Sequence, residues 1–143
     1  MPRVRRDIAV PHRHSEMFDL VDDVESYPEF LPWCHSAEVL SRDGDESTAS
    51  LLLSRGGVRS RFSTRNRVIV DEQIDIELLN GPFDHLHGRW RFDASSDRTH
   101  VSLDIRYQFS NPLAGLLFAT VVEDIAVDLI HAFRDRARDV YVG

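Results

Sequence analysis

VSLDIRYQFSNPLAGLLFATVVEDIAVDLIHAFRDRARDV, residues 101–140, holds a strand, a helix start and a long helix in direct succession. Val101, Leu103, Ile105, Tyr107 and Phe109 alternate with Ser102, Asp104, Arg106 and Gln108, the period of two that gives a strand one buried and one wet face. Asn111-Pro112 then opens a helix. An Asn side chain accepts an otherwise orphaned N–H, and proline at the first helical position loses no hydrogen bond. Beyond it Phe118, Val122, Ile125, Leu129, Phe133 and Val140 recur at helical spacing, while Glu123, Asp124, Asp128, Asp135 and Asp139 fall mostly elsewhere. Arg134, Arg136 and Arg138 suit the negative end of the helix dipole. An apolar strand face followed at once by an amphipathic helix predicts a helix lying on a sheet.

Upstream, the same period of two recurs in segments 37–42, 47–55, 58–70, 73–79 and 85–93 before it reaches 99–109. Turn residues divide them: Asp43-Gly44 and Gly56-Gly57 suit tight hairpins, and Asn80-Gly81-Pro82 a wider corner. Arg3 to Val10 is a further short strand ending at Pro11. Met17, Phe18, Leu20, Val21 and Val24 mark a helix, after which Pro28 and Pro32 limit the chain to a bent connection holding at most a short turn of helix. The expected fold is α+β, in the order β-α-α-β6-α. A curved antiparallel sheet of about seven strands wraps its concave side around the long C-terminal helix.

A chain of 143 residues fits a single domain, 1–143, and at this size about 70% of the unfolded surface is buried, enough for stability without disulfides. The lone Cys34 makes neither an internal bridge nor a thiolate zinc site. No signal-peptide-like apolar run opens the sequence and no segment approaches the length of a membrane span, so a cytoplasmic location is expected. The formal net charge of −7 disfavours DNA and general nucleic-acid coating, while leaving room for a local basic face; all seventeen cations are arginine.

A sheet gripping a helix leaves space between them for a small molecule. Phe62, Leu86, Trp90, Phe92, Tyr107 and Phe109 take the inward phase of their strands, and Leu117, Phe118 and Val121 come from the helix. They either wall a cavity or pack one another as core. Leu113 to Val122 is apolar nearly all round, which suits full burial or, alternatively, transient contact with a lipid or the inner membrane surface. Arg59, Arg61, Arg65 and Arg67 share the outer face of one strand. That strip suits RNA phosphates or an acidic partner, unless Asp75, Glu77 and Asp104 on neighbouring strands neutralise it. The pairs His12/His14 and His85/His87 lack a third metal ligand of matching type, and no nucleophile elbow, phosphate loop or activated Cys34–His35 pair is present. No metal site and no catalytic residue is assigned.

The run DVESYPEFLPWC (23–34) resembles the DVxxYPxFLPxC segment of the coenzyme Q-binding, START-like branch of the polyketide cyclase/dehydrase superfamily. Phe62-Ser63-Thr64-Arg65-Asn66 resembles its FTTRN strand, and Gly81-Pro82-Phe83 with Leu86, Gly88, Trp90 and Phe92 its GPFxxLxGxWxF corner. Asn111-Pro112-Leu113, Ala132-Phe133, Arg136-Ala137 and Val140-Tyr141 extend the likeness over essentially the whole chain. The resemblance is greatest to bacterial members, which include ribosome association toxins. It implies a helix-grip fold and a non-enzymatic protein that holds a ubiquinone-like isoprenoid in support of respiration, with no other cofactor. By the resemblance Phe30 and Leu31, with Pro28 and Pro32, shape the cavity mouth, and Phe62, Phe83, Trp90 and Tyr107 its wall. The alternative it carries is a toxin that binds the large ribosomal subunit through the arginine strip; a polyketide cyclase is more remote.

Overall fold

The computed structural model describes residues 2–55, 57–81 and 83–141. The chain runs as strand β1 (Arg3–Val10), helix α1 (His14–Asp22), a 3-10 turn (Val24–Glu29), strands β2 (Cys34–Asp43), β3 (Glu46–Arg55), β4 (Val58–Ile69), β5 (Gln73–Asn80), β6 (Phe83–Ser95) and β7 (Arg98–Phe109), and helix α2 (Pro112–Val140). This is the expected element order. The strands form one antiparallel sheet, β1-β7-β6-β5-β4-β3-β2, a six-strand meander with β1 added beside β7.

Turn chemistry sets the meander's register. Gly44 (φ 62°) lets Asp43 pair with Glu46, and Gly57 (φ 81°) lies in the loop that pairs Arg55 with Val58; Gly56 and Pro82 lie outside the described residues. At the β5–β6 corner the need for glycine is steric: a Cβ on Gly81 would stand 3.0 Å from the Phe62 ring and 3.1 Å from Leu78.

The first helix begins where Glu16 Oε1 accepts the Arg13 N–H at 3.0 Å, and it buries Met17, Phe18 and Val21. Tyr27 then donates a short hydrogen bond to the Val21 carbonyl, folding the 3-10 turn back toward α1. Pro28 sits inside that turn.

α2 lies along β1 and β7 and against α1, while the 3-10 turn packs on β2. Its buried face is Val122, Ala126, Ile130, Phe133 and Ala137. This corrects the stripe expected from hydrophobicity: Ile125 and Leu129 are only partly buried and Val140 is 47% exposed. The two alanines explain the rotation, because a side chain of one carbon lets the helix come close to the sheet. Phe133 then reaches Trp90 edge-on at 5.4 Å between ring centroids, with Tyr27 and Phe30 against its other sides at 5.5 and 5.3 Å. Phe92 lies parallel to Trp90 and takes Phe18 on its edge. Replacing Phe133, 1% exposed, with alanine is expected to cost about 3–5 kcal/mol in denaturant unfolding. Val140→Ala should stay within about 0.5 kcal/mol. Equal losses would contradict this packing.

Candidate functional site

Along its strands the concave face changes from closed to open. Trp90, Phe92, Val101 and Leu103 are at most 2% exposed beneath α1 and the second half of α2, with Phe18 of α1 on Phe92 and Phe133 of α2 on Trp90. Four residues along β6, about 13 Å away, Leu86 is only partly buried, and so are Phe62, Phe83 and Phe109. These last three rings and Tyr107 form a second aromatic group. Phe83 stacks on Phe109 at 4.7 Å and meets Tyr107 at 6.2 Å and Phe62 at 6.3 Å. Gly115 brings the start of α2 to this group, since a Cβ there would lie 3.6 Å from Phe109. Burial, and then the charge of Glu123 on α2, push the Tyr107 phenol above its ordinary range and keep it a neutral hydroxyl.

The sequence-predicted lining residues therefore divide. Phe62, Phe83 and Tyr107 come together at the open end. Leu31, 1% exposed, and Trp90, 2%, are taken up in close packing, and Phe30 is held against Phe133 with the Arg136 guanidinium 5.1 Å from its ring centre. Val121 is partly buried and Leu113 is 65% exposed; the side chains of Leu117 and Phe118 lie outside the described residues.

Between the two halves one row crosses the sheet: Ser47, Asn66, Ile76, Gly88, Ile105 and Val4, each opposite the next. Two members of this row were quoted in the sequence motifs without a role. Gly88 is buried, yet a Cβ on it would find its nearest neighbours at 3.8 and 4.0 Å, ordinary contact distances. Neither φ nor crowding requires glycine there, and the missing side chain leaves a depression in the inner face. Asn66 follows Phe62 and Thr64 in the inward phase, is 8% exposed, and its Oδ1 accepts no hydrogen bond from the described residues. An orphaned buried acceptor costs about 1–3 kcal/mol. The available signal was an amide in an apolar phase, with a glycine in the apolar phase two strands away.

The convex face carries the arginines. Arg65 reaches Glu46 at 3.0 Å and Glu77 at 3.8 Å, and Arg67 reaches Glu46 at 3.7 Å. Two of the three expected neutralising groups are engaged elsewhere, Asp75 with Arg89 at 2.8 Å and Asp104 with Arg3 at 2.6 Å. Glu46 replaces them, because the two-residue turn at Gly44 sets it opposite Arg67. Arg61 donates to the Ser50 hydroxyl at 2.9 Å, and Arg59 comes no nearer than 3.5 Å to His35 Nε2. Among the described residues neither pairs with a carboxylate. No group of three or more metal-ligating side chains occurs among the described residues, and His14 Nδ1 lies 2.9 Å from the Asp71 carbonyl. Cys34 is buried, which raises its thiol pKa. No described helix is long and apolar enough to cross a membrane.

A family model described as polyketide cyclase/dehydrase and lipid transport matches residues 10–134, most of the frame that carries both faces. The chain belongs to this family. Family relatives include the ribosome association toxin RatA of Escherichia coli K12, 34% identical over 142 residues that span 99% of this chain and 90% of the toxin. The persistence and stress-resistance toxin PasT of Escherichia coli O6:H1 is 35% identical over the same shares. Coenzyme Q-binding protein COQ10 homolog B of Xenopus laevis is 27% identical over 88% of this chain and 54% of that protein. Among solved structures, the 18 kDa protein CC1736 of Caulobacter crescentus superposes with a TM-score of 0.80 at 33% identity, each chain fully covered. The ZhuI aromatase/cyclase of Streptomyces sp. R1128 superposes at 0.88 with 19% identity, over 99% of this chain and 96% of that one, a likeness of fold. The START-like, helix-grip α+β architecture is thus the family's.

The ion pairs of the convex face also set an acid limit. Burial works to raise the Asp75 carboxyl, but the hydrogen bonds and charge of Arg89, with the Gln73 amide, outweigh it and hold the group below the usual carboxylate range. The hydrogen bond from Arg3 lowers Asp104 in the same direction, against a smaller effect of burial. A depressed folded-state pKa gives stability that is present above the unfolded value, about 3.9, and is lost as pH falls through the folded one. Unfolding free energy is therefore expected to fall below about pH 4, with a shallower acid slope in Asp75→Asn and Asp104→Asn. An unchanged slope in the double variant would contradict these assignments.

Proposed function

We propose that the chain is a non-enzymatic binding protein that holds an elongated hydrophobic molecule over the open half of its concave face. The observation that carries this reading is the division of that face. One half is filled by Trp90, Phe92 and Phe133, while the other leaves Phe62, Phe83 and Phe109 only partly covered, beside the depression at Gly88. Aromatic walls of this kind reward apolar surface without any reacting group, at about 0.8 kcal/mol per buried CH2. The named function of the COQ10 relative makes a polyprenyl quinone the first candidate for the ligand. The exposed Leu113 at the start of α2 fits brief contact with a membrane surface during loading.

A second reading is favoured by the near full-length similarity to RatA: association with the large ribosomal subunit through the convex face. Arg59 and Arg61, without carboxylate partners among the described residues, supply the phosphate contacts, and Arg65 and Arg67 join them by exchanging Glu46 for RNA. The two roles use opposite faces of one sheet and are compatible.

Gly88→Leu fills the depression without strain in the backbone. It is expected to weaken binding of a dodecyl-chain probe by more than about tenfold, measured by calorimetry on a protein that still melts in one cooperative transition. Unchanged affinity would remove the ligand from this face. For the second reading, co-sedimentation with large subunits should weaken steeply with salt and fail in the Arg59→Ala/Arg61→Ala protein. Sedimentation that is indifferent to both would exclude the arginine strip.

A further inference from the structure

We propose that Asn66 is the polar anchor of the concave face and that the ligand it selects carries a hydrogen-bond donor, a phenolic or alcoholic hydroxyl, at the end of its apolar chain. The inference rests on the reading of this face as a hydrophobic ligand site and adds the chemistry of the ligand's head.

The position of Asn66 is fixed by its strand. Arg65 and Arg67 on either side of it are exposed on the convex face, so the amide lies on the concave one, between Thr64 and Val68 and opposite Ile76. Of its four flanks along and across the sheet, Val68 and Ile76 are apolar and Thr64 and Ser47 carry hydroxyls, neither of which donates to it. The neighbours of this amide make its burial costly. Asn66 is 8% exposed, and Oδ1 accepts no hydrogen bond from the described residues. Buried polar atoms in folded proteins are nearly always partnered, and a buried acceptor that the neighbouring hydroxyls leave unpartnered points to a donor that arrives from outside the chain.

The surroundings say what kind of molecule brings it. Two strands from Asn66, Gly88 leaves a depression between Ile76 and Ile105, wide enough that a Cβ there would meet only ordinary contacts. One rung further along the strands the half-open aromatic group begins. The amide therefore stands where the open half meets the closed core. A hydroxyl hydrogen-bonded to Asn66 would lie at the inner end of the site, with its apolar chain running outward over Phe62, Phe83 and Phe109. A quinone head offers acceptors alone and leaves Oδ1 unsatisfied, whereas the reduced hydroquinone satisfies it, so discrimination falls on the donor and selects the reduced form of that candidate.

The test compares 4-dodecylphenol with 4-dodecylanisole, in which a methyl group replaces the hydroxyl hydrogen and removes the donor, using calorimetric titration of the intact protein. The wild type is expected to bind the phenol about tenfold more tightly than its methyl ether. Asn66→Leu, close to isosteric, should bind the two within about twofold of each other, keep the wild-type affinity for the ether, and melt at the same or a higher temperature because an orphaned polar group has been removed. Asn66→Val should behave alike, as a second folded variant. Equal binding of both probes by the wild type would overturn the anchor while leaving the hydrophobic site intact. Discrimination that survives in both variants would do the same. An Asn66→Leu protein that melts well below the wild type would make the amide a structural group and overturn the anchor. Failure of the wild type to bind either probe would overturn the hydrophobic-ligand reading together with the anchor.

Discussion

Phe133 standing on edge against Trp90 is the contact on which the arrangement depends. It joins the terminal helix to the middle of the sheet and draws Tyr27 and Phe30 of the connecting segment into the same group. The ends of the helices are tied by polar links that follow from this placement: the Tyr141 hydroxyl donates to the Glu16 carbonyl at 3.1 Å, and Thr99 donates to the His12 carbonyl at 2.6 Å. Because α2 is anchored by its second half, its first half is the part that lies beside the less filled end of the face. Closed and open halves are consequences of one anchoring point.

The division also separates two kinds of residue that sequence alone treats alike. An inward aromatic reads the same whether it seals a core or lines a site. Trp90 and Phe83 share a strand and, through the bulge after Phe83, a face, yet one is 2% exposed and the other is half-buried. What distinguishes them is the cover of α1 and the second half of α2 over the Trp90 end, a tertiary property. The convex face obeys a different constraint. Its arginines and carboxylates alternate across rungs, as in Glu46, Arg67, Asp75, Arg89 and Asp104, so most of the charge is spent within the sheet. At the end of β4 beyond that lattice, Arg59 and Arg61 pair with no carboxylate among the described residues.

Most of the fold was legible because the strands alternate cleanly and their turns use glycine. The misses have local causes. β2 begins at Cys34 rather than at 37, since a bulge between Cys34 and Ser36 interrupts the alternation. β6 likewise begins at Phe83, before a bulge between Phe83 and His85. The face of α2 was misjudged because alanines at 126 and 137 carry little hydrophobic weight but allow close approach. In the candidate site, Phe62 and Tyr107 were readable from phase, and Phe83, which the bulge takes out of the alternation, from the family motif alone. Asn66 and Gly88 were present only as motif letters, because an unsatisfied acceptor and an empty Cβ position are properties of neighbours, not of residues.

The central claim is that the face is filled at Trp90 and open at Phe83. It is tested most directly by locating a bound alkyl chain through intermolecular nuclear Overhauser effects to assigned aromatic rings. Cross-peaks from the chain to Phe62, Phe83 and Phe109, with none to Phe133 or Trp90, are the predicted result. Cross-peaks to Phe133 and Trp90, or to rings of neither group, would contradict it.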